Sequence, residues 1–222
     1  VSRRISVLRP EPGNRVTAAA IEARGHGAIR MPLFAVRALA WDAPDADAFD
    51  ALILTSANAV RHAGPGLTAL LGLPVYAVGA ATAEAARRAG FDVVCVGTKG
   101  AEALLATAEA AGIHHALHLA GRERTLESGG IVARVIPVYA SEPDAPQDAA
   151  RLAGSIALVQ SARAAARLGY VVDAAGIDRG GIALVAVSAR AAEAAGQGWE
   201  HVVVADDPRG EALIEAAIAL AD

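Results

Sequence analysis

The feature that most limits how this chain can fold is its rhythm. Short runs of Val, Ile, Leu and Ala recur along it, and most are followed by an Ala-rich stretch with helical spacing. The runs at 5–8, 28–36, 51–55, 75–78, 93–96, 116–119, 132–139, 156–159, 183–187 and 201–205 have strand length. The stretches at 15–24, 58–71, 82–89, 101–111, 162–175, 189–195 and 210–220 have helix length. Strands alternating with helices predict an α/β fold on a parallel sheet, in which helices cover both faces. Gly25, Gly90 and Gly112 stand where a left-handed residue ends a helix cheaply. Asn58 and Thr82 stand where a helix start needs a cap.

Composition narrows the class. Of the 222 residues, 54% are hydrophobic and 20% charged, which excludes intrinsic disorder. Ala makes up about a quarter of the chain and aromatic residues only 4%, so the core must be built from close helix contacts, not large rings. The net charge of −4 argues against a general nucleic-acid binder. Cys95 is the single cysteine, so neither a disulfide framework nor a Cys-based zinc site can form. The longest apolar runs, such as 51–54 and 182–187, fall far short of a membrane span. The apolar stretch near the N-terminus is too short for a signal peptide, and the expected compartment is the cytoplasm. Every basic residue except Lys99 is arginine. A GC-rich genome explains most of that bias, yet Arg forks also suit carboxylates and phosphates.

Two segments look alike. Arg30-Met31-Pro32-Leu33-Phe34-Ala35 and Val135-Ile136-Pro137-Val138-Tyr139-Ala140 share an apolar–Pro–apolar–aromatic–Ala pattern, and each precedes an acidic stretch containing proline. Proline cannot donate to a ladder and avoids central strands. A two-stranded linker accommodates both prolines and predicts a discontinuous arrangement. The middle of the chain, about 38–136, would form one domain, and the two ends together would form the other, each a small doubly wound sheet.

The usual catalytic loops are missing. No G-x-G-x-x-G follows the first strand, no phosphate-cradling G-x-x-x-x-G-K-[ST] is present, and no G-x-S-x-G nucleophile elbow occurs. His114, His115 and His118 sit close together, but on one strand they would point to opposite faces and could not converge on a metal. They read as a pair at the strand start plus one half-buried histidine. Cys95, within a strand, reads as packing, and Asp206-Asp207 as a solvated turn. What remains is a set of hydroxyls, arginines and backbone amides after strands: Thr55-Ser56-Ala57-Asn58, Val78-Gly79-Ala80-Ala81-Thr82, Gln160-Ser161-Ala162-Arg163 and Val187-Ser188-Ala189-Arg190. In a parallel sheet such turns gather at the carboxyl ends of the strands, where ligands bind. Helix starts there offer free N–H groups suited to anions.

Together these segments resemble the uroporphyrinogen-III synthase family. Its first strand with Arg-Pro is similar to Val7-Leu8-Arg9-Pro10. Its T-S-x-N/R-x-V resembles Thr55-Ser56-Ala57-Asn58-Ala59-Val60, and its V-G-x-x-T-A resembles Val78-Gly79-Ala80-Ala81-Thr82-Ala83. Its G-x-x-x-L-L is similar to Gly100 through Leu105, its L-x-x-x-G-R to Leu117 through Arg122, and its V-x-V-Y to the segment ending Pro137-Val138-Tyr139. Several places depart from the pattern: Val187-Ser188-Ala189-Arg190-Ala191 lacks the Gly and Thr of V-G-x-x-T-A, Val159-Gln160-Ser161 stands where F-x-S is usual, Arg209 follows Pro208 where Thr is usual, and the helical stretch after Arg122 is short.

The resemblance implies two flavodoxin-like lobes joined by a two-stranded linker, with the active-site cleft between them. Domain one would be 1–35 plus 141–222, domain two 38–136, and the linker strands about 34–38 and 137–141. It implies a cofactor-free hydro-lyase that cyclises hydroxymethylbilane to uroporphyrinogen III through a spiro intermediate, with hand-over of substrate from hydroxymethylbilane synthase. No long apolar surface stripe stands out in the sequence, so a monomer is expected. On that reading Tyr139 is the candidate proton donor. Ser56, Asn58, Gly79, Ala80, Ala81, Thr82, Ser161 and Ser188 are candidate substrate binders, and Arg9, Arg15, Arg122, Arg163 and Arg190 are candidate carboxylate clamps. Three other readings stay open: a non-catalytic two-lobe ligand-binding protein, a nucleotide- or flavin-dependent α/β enzyme, and an inactive member of the same family.

Overall fold

A computed structural model describes residues 2–207 and 209–222, so Pro208 lies outside the described residues. The chain divides into two compact units, Val1–Ala35 with Glu142–Asp222, and Val36–Ser141. Each unit is an α/β lobe with its own sheet, as the alternation of strand and helix predicted.

The first unit holds strands β1 (Ile5–Val7), β2 (Ala28–Arg30), β9 (Ile156–Val159), β10 (Ala183–Ala186) and β11 (His201–Val204). They lie in the order β11-β10-β9-β1-β2, all parallel. Alternate residues serve opposite faces. Ile5, Val7, Ile156, Leu158 and Val185 pack with helices α1 (Gly13–Glu22) and α7 (Gly210–Ala221). Ile29, Ala157, Val159, Leu184 and Ala186 pack with α5 (Ala162–Ala174) and α6 (Ala189–Ala194). Small helix residues such as Ala18, Ala165, Ala191 and Ala217 meet these faces, which is how a core poor in rings closes.

The second unit holds β4 (Ala51–Leu54), β5 (Val75–Val78), β6 (Val93–Gly97), β7 (Ala116–Gly121) and most of β8 (Val132–Pro143), with β3 (Phe34–Ala38) at the sheet edge. The order is β3-β8-β7-β4-β5-β6. The pairs from β8 to β6 are parallel. Hydrogen bonds from Leu39 N to Val138 O and from Asp144 N to Leu33 O, each 2.9 Å, make β3 antiparallel to β8. One sheet face carries α2 (Ala57–His62) and α3 (Ala80–Arg88) over Leu52, Leu54, Ala77, Leu117 and Leu119. The other carries α4 (Ala101–Ala110) over Ala51, Ile53, Tyr76 and Ala116.

Both sheets are doubly wound, but their strand orders differ. Numbered within its own unit, the first runs 2-1-3-4-5, the flavodoxin order, and the five parallel strands of the second, leaving aside the antiparallel edge strand β3, run 3-2-1-4-5. The order reverses between β1 and β9 in one unit and between β4 and β7 in the other. In doubly wound sheets, such switch points at the carboxyl ends of the strands are where ligands bind.

Three local expectations are corrected. The run 28–36 is two strands, broken around Pro32, which has no N–H to give, while Met31 and Leu33 on either side donate to Val7 O and Leu8 O. The stretch 58–71 is not one helix: α2 stops at His62, and a 3₁₀ segment, Gly64–Leu70, follows with Pro65 in its first turn. Pro65 supplies no N–H to continue the helix. His118 is fully buried, not half-buried, while His114 and His115 stand just before β7, as a pair at the strand start. No helix among the described residues is long and apolar enough to cross a membrane.

Candidate functional site

In the second unit the site is built on the carboxyl ends of β8, β7, β4 and β5, four consecutive strands of one sheet. Ser56 follows β4 in extended conformation and caps α2, its Oγ accepting from Asn58 N at 3.2 Å. Asn58 does not cap; its Oδ1 accepts from Arg61 Nη1 at 3.3 Å. Gly79 follows β5 with φ of +79°, a conformation that favours glycine, and starts α3 without any side-chain cap. The amides of Ala80, Ala81 and Thr82 therefore form the open first turn of a nine-residue helix, where free N–H groups and the dipole favour an anion. Ala80 and Ala81 are exposed and Thr82 is buried. The expectation that Thr82 caps this helix is thus replaced: Gly79 holds the cap position and Thr82 sits in the first turn.

Arg122 follows β7, exposed, with its N–H donating to Tyr139 O at 2.8 Å. Tyr139 is half-buried on β8, opposite Gly121 in register. Its ring lies over Gly121, whose Cβ, if one were present, would come within 2.8 Å of the ring carbon Cζ. His62, at the end of α2, tilts against the same ring with centroids 6.3 Å apart. Burial, aided by the charge of Arg61, pushes the His62 imidazole below its ordinary pKa and favours the neutral ring.

Sequence reasoning assigns no binding role to two further residues in this unit, Thr55 and His118. Thr55, the last residue before the Ser56 cap, has its Oγ1 3.1 Å from His118 Nε2. The pair links β4 to β7 across the switch point. Burial first, and the nearby Arg124 charge second, push His118 down to about 4, against a weaker upward pull from Glu127. The two other histidines of the cluster do separate work. The amides of His114 and His115 donate to Asp50 Oδ2 at 2.9 and 2.8 Å, and His115 Nδ1 donates to Ala48 O at 2.7 Å. Those two amides hold the Asp50 carboxyl below its usual range.

In the first unit the corresponding residues surround the ends of β1, β9 and β10. Arg9 follows β1, exposed, with its side chain lying across Gly13 at the start of α1. Buried Asn14 pins this turn, donating to Val7 O at 2.7 Å and Arg9 O at 3.0 Å while accepting from Arg30 Nε. Ser161 and Ser188 cap α5 and α6, accepting from Ala164 N at 3.1 Å and Ala191 N at 3.3 Å. Arg163 stacks over Phe34 at 4.4 Å. Arg190 is exposed on α6. Arg15 lies in the first turn of α1, its N–H donating to Glu11 Oε2 at 3.2 Å.

Chemically, each unit offers helix starts, capping hydroxyls and arginines at one end of its sheet. A serine that caps a helix accepts with a lone pair and keeps its own proton to donate. The set suits a ligand rich in carboxylates. Among the described residues, no group of three His, Cys, Asp or Glu is placed to hold a metal ion.

Comparison with known proteins follows the same lines. A family model described as uroporphyrinogen-III synthase HemD matches residues 15–215. No curated protein sequence matches significantly. Among solved structures, a uroporphyrinogen-III synthetase from Helicobacter pylori 26695 aligns over 99% of this chain and 100% of its own, with 17% identity and a TM-score of 0.63. A mutant uroporphyrinogen III synthase from the extremely thermophilic bacterium Thermus thermophilus aligns over 99% of both chains, with 17% identity and a TM-score of 0.51.

Proposed function

The chain belongs to the uroporphyrinogen-III synthase family, and from that premise we propose that it cyclises hydroxymethylbilane to uroporphyrinogen III. The observation that carries the proposal is the strand-end constellation of the second unit. It combines an open helix start at Gly79–Thr82, a hydroxyl cap at Ser56 and a half-buried phenol at Tyr139 on one end of one sheet. A substrate with eight carboxylates needs many anion sites and few aromatic ones, and the chain has only 4% aromatic residues.

The chemistry asks little of a protein nucleophile. The terminal hydroxyl of the bilane takes a proton and leaves as water, which makes the adjoining methylene electrophilic. The pyrrole carbon that already bears a substituent attacks it and forms a spiro intermediate. That intermediate fragments and recloses with the last ring inverted, and a pyrrole carbon gives up a proton. Orienting the chain for this attack can lower the barrier by about 7–11 kcal/mol at best. A donor near the leaving hydroxyl adds about 10²–10⁴-fold. Tyr139 is assigned that role, and the amides of Ala80–Thr82 with Ser56 and Asn58 bind substrate carboxylates. Arg122 is assigned to the same unit's anion set. Arg9, Arg15, Ser161, Arg163, Ser188 and Arg190 are assigned to carboxylate binding on the other unit.

The test is direct. Purified protein is incubated with enzymatically generated hydroxymethylbilane, and the type I and type III isomers are resolved. Unassisted closure gives type I. Type III above background is the expected result, whereas type I alone from folded protein would overturn the synthase reading in favour of a ligand-binding protein or an inactive member of the family.

A further inference from the structure

His118 is a histidine without an evident structural reason. It occupies the centre of β7, fully buried, in register with Ile53 of β4. Residues 116 and 118 share the face that carries α4, where Ala51, Ile53, Tyr76, Leu104 and Ala108 form an apolar cluster and the charges of Arg124 and Glu127 lie close enough to act on the ring. The imidazole reaches one polar partner, Thr55 Oγ1, at 3.1 Å from Nε2. Its other nitrogen, Nδ1, is buried with no hydrogen-bond partner.

That asymmetry selects the tautomer. With the proton on Nδ1, a buried N–H would be orphaned, the rarer and costlier defect. With the proton on Nε2, the N–H is used on Thr55 and only a lone pair at Nδ1 goes unmatched. Thr55 Oγ1 then accepts from His118, and its own hydroxyl proton must point away from the ring. Thr55 is only half-buried and stands at the mouth of β4, directly before the Ser56 cap. Its proton is therefore offered at the strand end, on the switch-point side of the sheet.

We infer that His118 is a positioning residue that fixes Thr55 as a hydrogen-bond donor to a substrate carboxylate at the carboxyl end of β4. The inference rests on the proposed reading that this strand end binds a carboxylate-rich tetrapyrrole. An ordinary threonine hydroxyl rotates among its rotors and loses freedom when it donates. One whose oxygen already accepts a buried N–H has fewer rotor positions open to its proton, so binding costs it less.

Three measurements test this on the whole chain. Nitrogen-15 NMR of the histidine rings should give His118 a protonated Nε2 and an unprotonated Nδ1 at neutral pH; a protonated Nδ1 overturns the inference. Binding of uroporphyrin III, followed by its fluorescence, should weaken about tenfold in Thr55→Val and about as much in His118→Phe. The double variant should be no weaker than either. His118→Gln, which can keep an N–H near the Nε2 position, should recover most of the affinity. Equal binding by wild type and Thr55→Val overturns the inference, and so does a His118→Gln protein no better than His118→Phe. Where His118→Phe fails to fold, the NMR tautomer and the Thr55→Val affinity decide alone. If the wild-type protein forms only type I product, the synthase reading fails, while the tautomer and the binding series still decide the role of His118.

Discussion

Tyr139 lies across Gly121 so closely that a Cβ on residue 121 would sit 2.8 Å from the ring carbon Cζ and 2.9 Å from Cε2. The backbone at 121 is ordinary extended strand, so glycine is required there by the ring and not by its own conformation. A Gly121→Ala protein must move the ring, which His62 also touches. Overpacking of this kind costs about 1–3 kcal/mol. The expected outcome is a modest loss in urea-unfolding stability together with a fall in type III formation close to that of a Tyr139 variant. Normal turnover with lost stability would make the contact purely structural.

Tyr139→Phe removes the phenolic oxygen and leaves the ring on Gly121, so packing and fold should be retained. If the phenol donates to the leaving hydroxyl, kcat for type III formation falls about 100-fold, within the range for a general acid. KM should change little, because the ring itself remains. An unchanged kcat removes Tyr139 from the mechanism.

Thr82 offers a clean separation of cap from site. The N-cap of α3 is Gly79 and no side chain caps the helix, so losing the Thr82 hydroxyl breaks no cap. Thr82→Val keeps the volume and should shift stability by less than about 1 kcal/mol, the usual worth of a cap. A lost hydrogen bond to a carboxylate should raise KM about tenfold, consistent with about 1.5 kcal/mol for a bond to a charged group. Ser56→Ala is the contrasting case: it should lose about 1 kcal/mol, because its Oγ does accept from Asn58 N.

The fold class was legible because its signals are local. Strand-length apolar runs, Ala-rich helical stretches and Gly25, Gly90 and Gly112, all with positive φ, declare themselves within a few residues. The breaks at Pro32 and Pro65 were written in the sequence too, but apolar periodicity around them masked the joints. The strand order was not local. Whether a unit runs 2-1-3-4-5 or 3-2-1-4-5 depends on which way each crossover turns, and similar βα runs serve both. The same limit hid the His118–Thr55 pair, 63 residues apart in the chain, since only the β4–β7 register brings those side chains together. The strand-end hydroxyls of Ser56, Ser161 and Ser188 were found because each is both a cap and a candidate binder, two roles with one local signature.

His118 also makes a prediction about acid stability, and its sign follows from where the proton goes. In the unfolded chain the imidazole takes a proton near its ordinary pKa of 6.5, whereas in the fold it resists until about 4. Burial is the main cause; Arg124 adds to it and Glu127 works against it. Between these values the unfolded state binds the extra proton, so stability falls as pH falls. The contribution is complete above pH 6.5, shrinks through the window and is gone near pH 4, for a total of roughly 3 kcal/mol. Carboxylates that titrate in the same range are common to wild type and His118→Gln, so the difference between the two isolates this group. Urea unfolding at steps from pH 7.5 to 4 should show the stability of wild type relative to His118→Gln dropping by about that amount. Two parallel curves would mean that His118 is already solvated or charged in the fold.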